Sequence, residues 1–312
     1  MYGGEPFLVE NYEMLEYIVQ KGKELGYVFS VTSNGYDLDK YMDYLEENSK
    51  IFSFQITIDG VEDIHNERKP HYRNKDSFAK ITSNVDSLLK LGISVSIRIN
   101  TDPYTMERAD ELLDYFKEKG WLQYQNFKAY YALLRKEVPI KGENGEYSKE
   151  MFTQSSFFCT YLQKGLEKQG CGKVMCQDYS VRSVLTNMLL GKSTPYKSHF
   201  CGAQSGMIIF DPLGDIYSCW DVVGQREYRV GHYMPDFVLE DTFADKWFDS
   251  RVSKFSCIKC KYVLFCGGGC LANAIRTTGN LQSGTCNDYP RLFNAEIKYI
   301  YNEKIKKGID EN

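Results

Sequence analysis

None of the ten cysteines lies in the first 158 residues of this 312-residue chain. A disulfide framework belongs to short secreted proteins, and cysteines confined to the second half of a long chain do not read as one. No apolar run approaches the roughly 18–20 residues that a membrane span needs. With 38 Lys and Arg against 42 Asp and Glu, there is no basic block to hold nucleic acid and no acidic tail to act as a disordered arm. The start, MYGGEPFLVE, lacks the basic residues and apolar stretch of a signal peptide. No internal repeat and no low-complexity segment appears. The expected location is the cytoplasm, where cysteines stay reduced or bind metals, with neither a membrane nor nucleic acid as partner.

What is present reads as an ordinary globular protein. Hydrophobic residues make up 43% and charged residues 26%, enough apolar material for one large core or two smaller ones. The first 130 residues alternate strands and helices. Residues 11–25, 38–47, 77–91 and 106–120 carry helical patterning, and Gly92 ends the third in the manner of a C-cap. Residues 27–32, 52–59, 94–100 and 124–131 are rich in β-branched and aromatic residues and read as strands. Such alternation implies parallel strands with right-handed crossovers, an α/β fold whose polar strand ends share one face. Residues 136–148 are a polar linker or insertion, followed by helices over 151–168 and 178–190. From residue 200 the strands shorten and glycines multiply, and the chain closes on an amphipathic helix over 290–306. The expected divisions are 1–135, 136–195 and 196–312.

Seven cysteines crowd into positions 201 to 286. They run Cys201-x12-Gly214-x4-Cys219, then Cys257-x2-Cys260-x5-Cys266-x3-Cys270, then Cys286. Thiolates hold iron or zinc, usually four to a centre. Gly267, Gly268 and Gly269 let the backbone fold tightly around such a centre, and Gly214 suits the turn of a small hairpin. Zinc sites usually pair two C-x2-C units, whereas here there is one such unit with five irregularly spaced cysteines, a pattern closer to iron–sulfur ligation.

This spacing resembles, at every interval, the seven-cysteine signature of the SPASM domain, which follows a radical S-adenosylmethionine (SAM) barrel and holds two auxiliary 4Fe–4S clusters. The resemblance covers residues 1 to 290. It implies a partial (β/α)6 barrel followed by a small cysteine-rich domain of short β-hairpins and helices. It implies that Cys201, Cys219 and Cys270 bind the first auxiliary cluster, and Cys257, Cys260, Cys266 and Cys286 the second. Some relatives complete the first cluster with a cysteine six residues before the Cys201 position, where this chain has Pro195. Cys176 or Cys171 is then a candidate fourth ligand, the alternative being an open iron where a substrate thiolate binds. Cys159 reads as a small buried hydrophobe.

The N-terminal half carries matching strings. Gly3-Gly4-Glu5-Pro6 resembles the GGE motif, in which glycines admit the SAM amino group and Glu5 accepts its hydrogen bond. Ser33 and Asn34, in Thr32-Ser33-Asn34-Gly35, sit where relatives approach the adenosine; a plain β-to-α turn is the alternative. Thr57 and Asp59, in Thr57-Ile58-Asp59-Gly60, resemble the S-x-D-G strand end. His65 and Arg68 match an H-x-x-R string, and Arg68 is the expected partner of the SAM carboxylate. Arg98 and Asn100 end the next strand and face the same site.

The C-x3-C-x2-C triplet of the SAM-cleaving cluster occurs nowhere in these 312 residues. The expectation is that the first strand, the first helix and most of the second strand are missing, and that the chain alone is inactive. In the full-length enzymes it resembles, an electron from that third cluster cleaves SAM, and the radical so formed takes hydrogen from a peptide or protein. Flavodoxin or ferredoxin is the expected reductant. Relatives that mature sulfatases carry an aspartate base directly after the cysteine matching Cys219, where this chain has Trp220 and then Asp221. On a strand, that one-residue shift turns the side chain to the opposite face. The expectation is therefore a peptide maturase forming thioether or carbon–carbon links, with Asp221 either a candidate base or a surface carboxylate. The competing readings are a sulfatase-maturing enzyme and a non-catalytic peptide scaffold with structural iron–sulfur or zinc centres.

Overall fold

The computed structural model describes residues 1–134, 151–178, 181–194, 196–240 and 244–306. The expected linker over 136–148 and Pro195 lie outside them. Two compact units emerge: Met1–Phe152 with Ser156–Gln177, and Thr153–Ser155 with Asp178–Asn312. The division therefore falls inside the stretch read as a linker and helical region.

The first unit is built on five parallel strands in sequential order: β1 (Phe29–Ser33), β2 (Phe52–Thr57), β3 (Ser94–Thr101), β4 (Phe127–Leu133) and β5 (Val174–Cys176). Its helices are α1 (Tyr12–Glu24), α2 (Met42–Glu47), α3 (Glu62–Arg68), α4 (Phe78–Lys90), α5 (Pro103–Glu107), α6 (Ala109–Glu118), α7 (Gln154–Gln163) and α8 (Leu166–Gln169). Period-two alternation sorts each strand's side chains. Phe52, Phe54 and Ile56 of β2 and Val95, Ile97 and Ile99 of β3 are buried. So are Ile81, Val85, Leu88 and Leu89 of α4 and Leu112, Leu113 and Phe116 of α6. Each such side chain stabilises the unit by about 1.5–3 kcal/mol. The opposite sheet face carries Thr32, Ser53, Gln55, Thr57, Ser96 and Arg98, all partly exposed.

The second unit has little regular structure. Four strands of two or three residues, β6 (Ile209–Phe210), β7 (Asp215–Tyr217), β8 (Gly231–His232) and β9 (Val238–Leu239), make an antiparallel sheet in sequential order. Its helices are α9 (Val181–Leu189), α10 (Val263–Cys266), α11 (Leu271–Thr278) and α12 (Tyr289–Ile300). A core of Ile216, Tyr217, Val230, Trp247, Val252, Phe255 and Leu271 packs against Cys201, Cys219, Cys257 and Cys270. The cysteines are thus part of this unit's packing. Among the described residues no helix is long and apolar enough to cross a membrane.

Candidate functional site

In the first unit, parallel pairing sets the polar side chains in rows. Thr32, Gln55, Ser96 and Lys128 stand opposite one another, and Thr57, Arg98 and Tyr130 form the next row toward the strand ends. Tyr130 donates to Gln55 Oε1 at 2.7 Å and lies beside Arg98, whose Nε donates to Asn100 Oδ1 at 2.9 Å. Burial raises the Tyr130 pKa, keeping it a neutral donor. No motif in the sequence singles out Gln55, Lys128 or Tyr130, although the alternation in FSFQIT and FKAYYA carries them.

The Gly3-Gly4-Glu5-Pro6 loop joins the end of this sheet through Glu5. Its carboxylate accepts from Phe7 N at 3.1 Å, Ser33 Oγ at 2.7 Å and Asn34 N at 2.5 Å. Gly3 and Gly4 adopt left-handed φ of +94° and +58°, and no atom lies within 4 Å of where a Cβ would stand on either. The backbone there is open to a ligand. The Asn34 side-chain carbonyl closes a turn on Tyr36 N at 2.7 Å, so the plain-turn reading describes part of its work.

The other predicted residues at this end are engaged with the chain itself. Asp59, 5% exposed, accepts from Asn100 Nδ2 at 2.9 Å, and burial raises its pKa. Its backbone N–H donates to Nδ1 of the fully buried His65 at 3.1 Å, and burial lowers the His65 pKa to about 4. Arg68 donates to Asn100 O at 3.3 Å and to Asp102 Oδ2 at 2.5 Å. Asp102, not anticipated in the sequence, also caps α5 through Thr105 N at 2.8 Å. The guanidinium expected to meet the SAM carboxylate thus already has a carboxylate partner. A cleft of about 390 Å³ opens where the loops after β1 and β2 meet, with Tyr36 stacked on His71 at 4.1 Å and Lys80 4.2 Å above the Tyr36 ring.

In the second unit the seven thiols fall into two sets. Cys219 feels the charge of Cys201 and Cys270. Cys257 feels Cys260 and Cys286, and Cys266 feels Cys286 and Cys257. Cys176 is the last residue of β5 in the first unit, buried on the face opposite the polar rows. Burial pushes Cys219 up to about 12 and raises Cys257 and Cys266 as well, so these thiols ionise only beside a compensating cation.

The glycines beside these thiols pack closely against the chain. Gly267, Gly268 and Gly269 have consecutive φ of +75°, +87° and +86°. A Cβ on them would stand 2.3 Å from His199 O, 2.3 Å from the Phe255 ring and 2.0 Å from Thr285 O, respectively. A Cβ on Gly284 would stand 2.6 Å from Cys257 Sγ. One tetrahedral zinc would draw its sulfurs to about 3.8 Å from each other. Among the described residues no group of three or more His, Cys, Asp or Glu closes to single-ion geometry.

Asp221 requires a correction. β7 ends at Tyr217, and Trp220–Val222 is a turn of 3-10 helix, so strand alternation does not decide which way these side chains point. Trp220 is the exposed one at 44%. The Asp221 carboxylate is 16% exposed and lies 3.4 Å from Arg276.

Against known proteins, residues 1–116 match the model of the Radical SAM superfamily. Over most of its length the chain is similar to anaerobic sulfatase-maturating enzymes. It is 24% identical over 322 residues to the cysteine-type enzyme of Clostridium novyi, covering 98% of this chain and 79% of that protein. It is 22% identical over 285 residues to the serine-type enzyme of Bacteroides thetaiotaomicron, covering 84% of this chain and 66% of that protein. In fold it is similar to anSMEcpe with bound AdoMet and Cp18Cys peptide, with TM-score 0.67, 19% identity and coverage of 99% and 85% of the two chains. It is also similar in fold to Streptococcus suis SuiB bound to S-adenosylmethionine, with TM-score 0.61, 15% identity and coverage of 91% and 63%.

Proposed function

We propose that this chain is the SAM-binding and auxiliary-cluster part of a maturase that modifies a peptide or protein. The observation that carries the reading is the spacing of seven cysteines over residues 201–286, of which Cys201, Cys219, Cys257 and Cys270 lie together in the packing of the second unit. Three and four thiolates are the donors that two 4Fe–4S clusters take, the first with one iron left for another ligand. When bound, SAM supplies the hydrogen-abstracting group and the clusters supply electron transfer. The C-x3-C-x2-C triplet is absent from these 312 residues, so none of them is assigned to the SAM-cleaving cluster.

The chain's own residues position the substrate and SAM. Gly3 and Gly4 leave backbone open at the sheet end, and the Glu5 carboxylate, held by Ser33 and Asn34, accepts the SAM amino group. Thr57, Arg98 and Asn100 present a hydroxyl, a cation and an amide to its ribose and carboxylate. Arg68 and Asp59 hold the strand ends that carry these groups. A ferredoxin or flavodoxin is the proposed electron donor.

Two product types divide the reading. Trp220 directly after Cys219 supports a thioether or carbon–carbon cross-link. The inward Asp221, beside Cys219 and held by Arg276, supports the sulfatase-type oxidation of a serine or cysteine to an aldehyde, the activity that the relatives' names carry. The test is equilibrium dialysis of the chain with labelled SAM, and the product type is read by mass spectrometry of cysteine- and serine-containing peptides treated with a reduced protein in which the chain is joined to a segment carrying the C-x3-C-x2-C triplet. Binding that Glu5→Ala abolishes supports the site, and no binding by the intact chain sinks it. A hydrazide-reactive aldehyde favours the sulfatase type; loss of two hydrogens without an aldehyde favours a cross-link.

A further inference from the structure

Of the two thiol sets, only the second reaches the surface. Cys260 and Cys286 are exposed, whereas Cys219 of the first set is buried and Cys201 and Cys270 are half-buried. Cys260 N donates to Cys257 O at 2.8 Å, which closes the C-x2-C turn. Gly284 lies so near this turn that a Cβ on it would stand 2.6 Å from Cys257 Sγ. The segment leading to Cys286 therefore runs alongside it.

The same stretch differs in charge from the rest of the chain. Residues 251–287 hold five Lys or Arg and no Asp or Glu, in a chain whose formal net charge is −4. Three of the five cations are engaged. Arg251 meets His199 Nδ1 at 2.7 Å, Lys254 pairs with Asp249, and Arg276 lies 3.4 Å from Asp221. The other two are Lys259 and Lys261, the direct neighbours of Cys260. Both are exposed, and neither has a carboxylate partner among the described residues. Apolar side chains stand beside them: Ile258 and Leu264 are exposed. Leu264 O accepts from Lys197 N at 2.7 Å, which brings the exposed Tyr196 against α10, its ring 5.9 Å from that of Phe265. Unpaired cations beside apolar side chains suit an acidic protein partner, which charge steers and apolar contact holds.

We infer that the face around Cys260 and Cys286, with Lys259 and Lys261 on it, docks an acidic one-electron carrier protein of the flavodoxin or ferredoxin class, which reduces the cluster of the second thiol set. The inference rests on the cluster reading above and adds the place where the carrier binds. Electron transfer weakens steeply with distance, so the two exposed thiols mark where a carrier comes closest to a cluster. Carriers of this class are acidic, and electron-transfer encounters need only a small interface steered by charge. The reduced carrier loses one electron, the cluster gains it, and no bond forms or breaks.

The test is isothermal titration calorimetry of the full chain, reconstituted with iron and sulfide, against purified oxidised flavodoxin and, separately, oxidised ferredoxin. Iron is counted in every sample. The variants are Lys259→Glu with Lys261→Glu and the milder Lys259→Gln with Lys261→Gln. The control is Lys50→Glu with Lys90→Glu, two exposed lysines of the first unit. The expected result is unchanged iron and binding of at least one carrier, with Kd raised about tenfold or more in the glutamate variant and less in the glutamine variant. The control binds as wild type, and wild-type binding weakens as salt rises from about 0.01 to about 0.15 M. Full iron with no binding of either carrier overturns this inference and leaves the cluster reading standing. So does binding that the lysine variants leave unchanged or that the control weakens as much. Tighter binding of a DNA oligonucleotide or a phosphatidylserine vesicle at the same lysines also overturns it. Loss of iron in the glutamine variant does the same, because the lysines are then supports of the cluster. Absence of iron from the wild-type chain overturns both.

Discussion

His65 is wholly buried against the end of β2, where it accepts the Asp59 N–H and stays neutral. Its pKa falls from 6.5 to about 4 on folding because burial disfavours the charged ring. The unfolded chain therefore binds a proton that the folded chain refuses. About 3 kcal/mol of stability is present above pH 6.5 and is lost as the pH falls from there to about 4. Urea unfolding across that range should show this slope, and His65→Asn, whose side-chain oxygen also accepts from Asp59 N, should flatten it. An unchanged slope would mean that His65 does not titrate in this way. Arg68 and Asp102 make a second test. Asp102→Ala removes the cap of α5 and leaves Arg68 buried without its carboxylate, a loss of about 3 kcal/mol read from the urea midpoint. The cysteines and Glu5 were legible in the sequence because chemistry restricts which residue types can fill their places. Asp102 was not, because an aspartate before a proline reads as a helix cap, and nothing local tells that an arginine 34 residues earlier reaches it.

At the scale of elements, β1 to β4 and the long helices follow their hydrophobic periods to within a few residues. The structure adds β5, three residues of VMC, too short for any period to declare itself. It also adds α3, whose seven residues hold two buried side chains, Ile64 and His65. The helix expected over 106–120 divides into α5 and α6 at Arg108, which turns out of helical geometry. The strand argument about Asp221 failed for a related reason: in this small domain a strand lasts two or three residues before a turn replaces it. The element that matters most to the thiols is the glycine turn after α10. Gly269→Ala would set a methyl 2.0 Å from the Thr285 carbonyl in a backbone conformation unfavourable to alanine. Thr285 precedes Cys286, so the substitution should displace that ligand. Gly269 also precedes Cys270, a ligand of the first set, so the reconstituted variant should hold fewer irons than the wild-type chain, by about four or more. Full iron in Gly269→Ala would show that the turn is not needed.

At the scale of the whole molecule, the proposed chemistry is divided between the two units. The first presents a polar sheet face with an open glycine loop at its end, and the second presents seven thiols in two sets. The sequence reading made three divisions, at 1–135, 136–195 and 196–312, and its change at residue 200 in strand length, glycine and cysteine lies inside the second unit, which begins at Asp178. The division between the units was less visible, because α7, α8 and β5 complete the first unit after a polar stretch that resembles a linker. The most direct measurement is the metal content of the intact chain, reconstituted anaerobically with iron and sulfide and read beside its absorption and EPR spectra. The account predicts about eight irons in two 4Fe–4S clusters, falling by about half when Cys257 and Cys260 are replaced by alanine. One or two zinc ions with no iron–sulfur absorption would contradict it and make the second unit a zinc-stabilised scaffold.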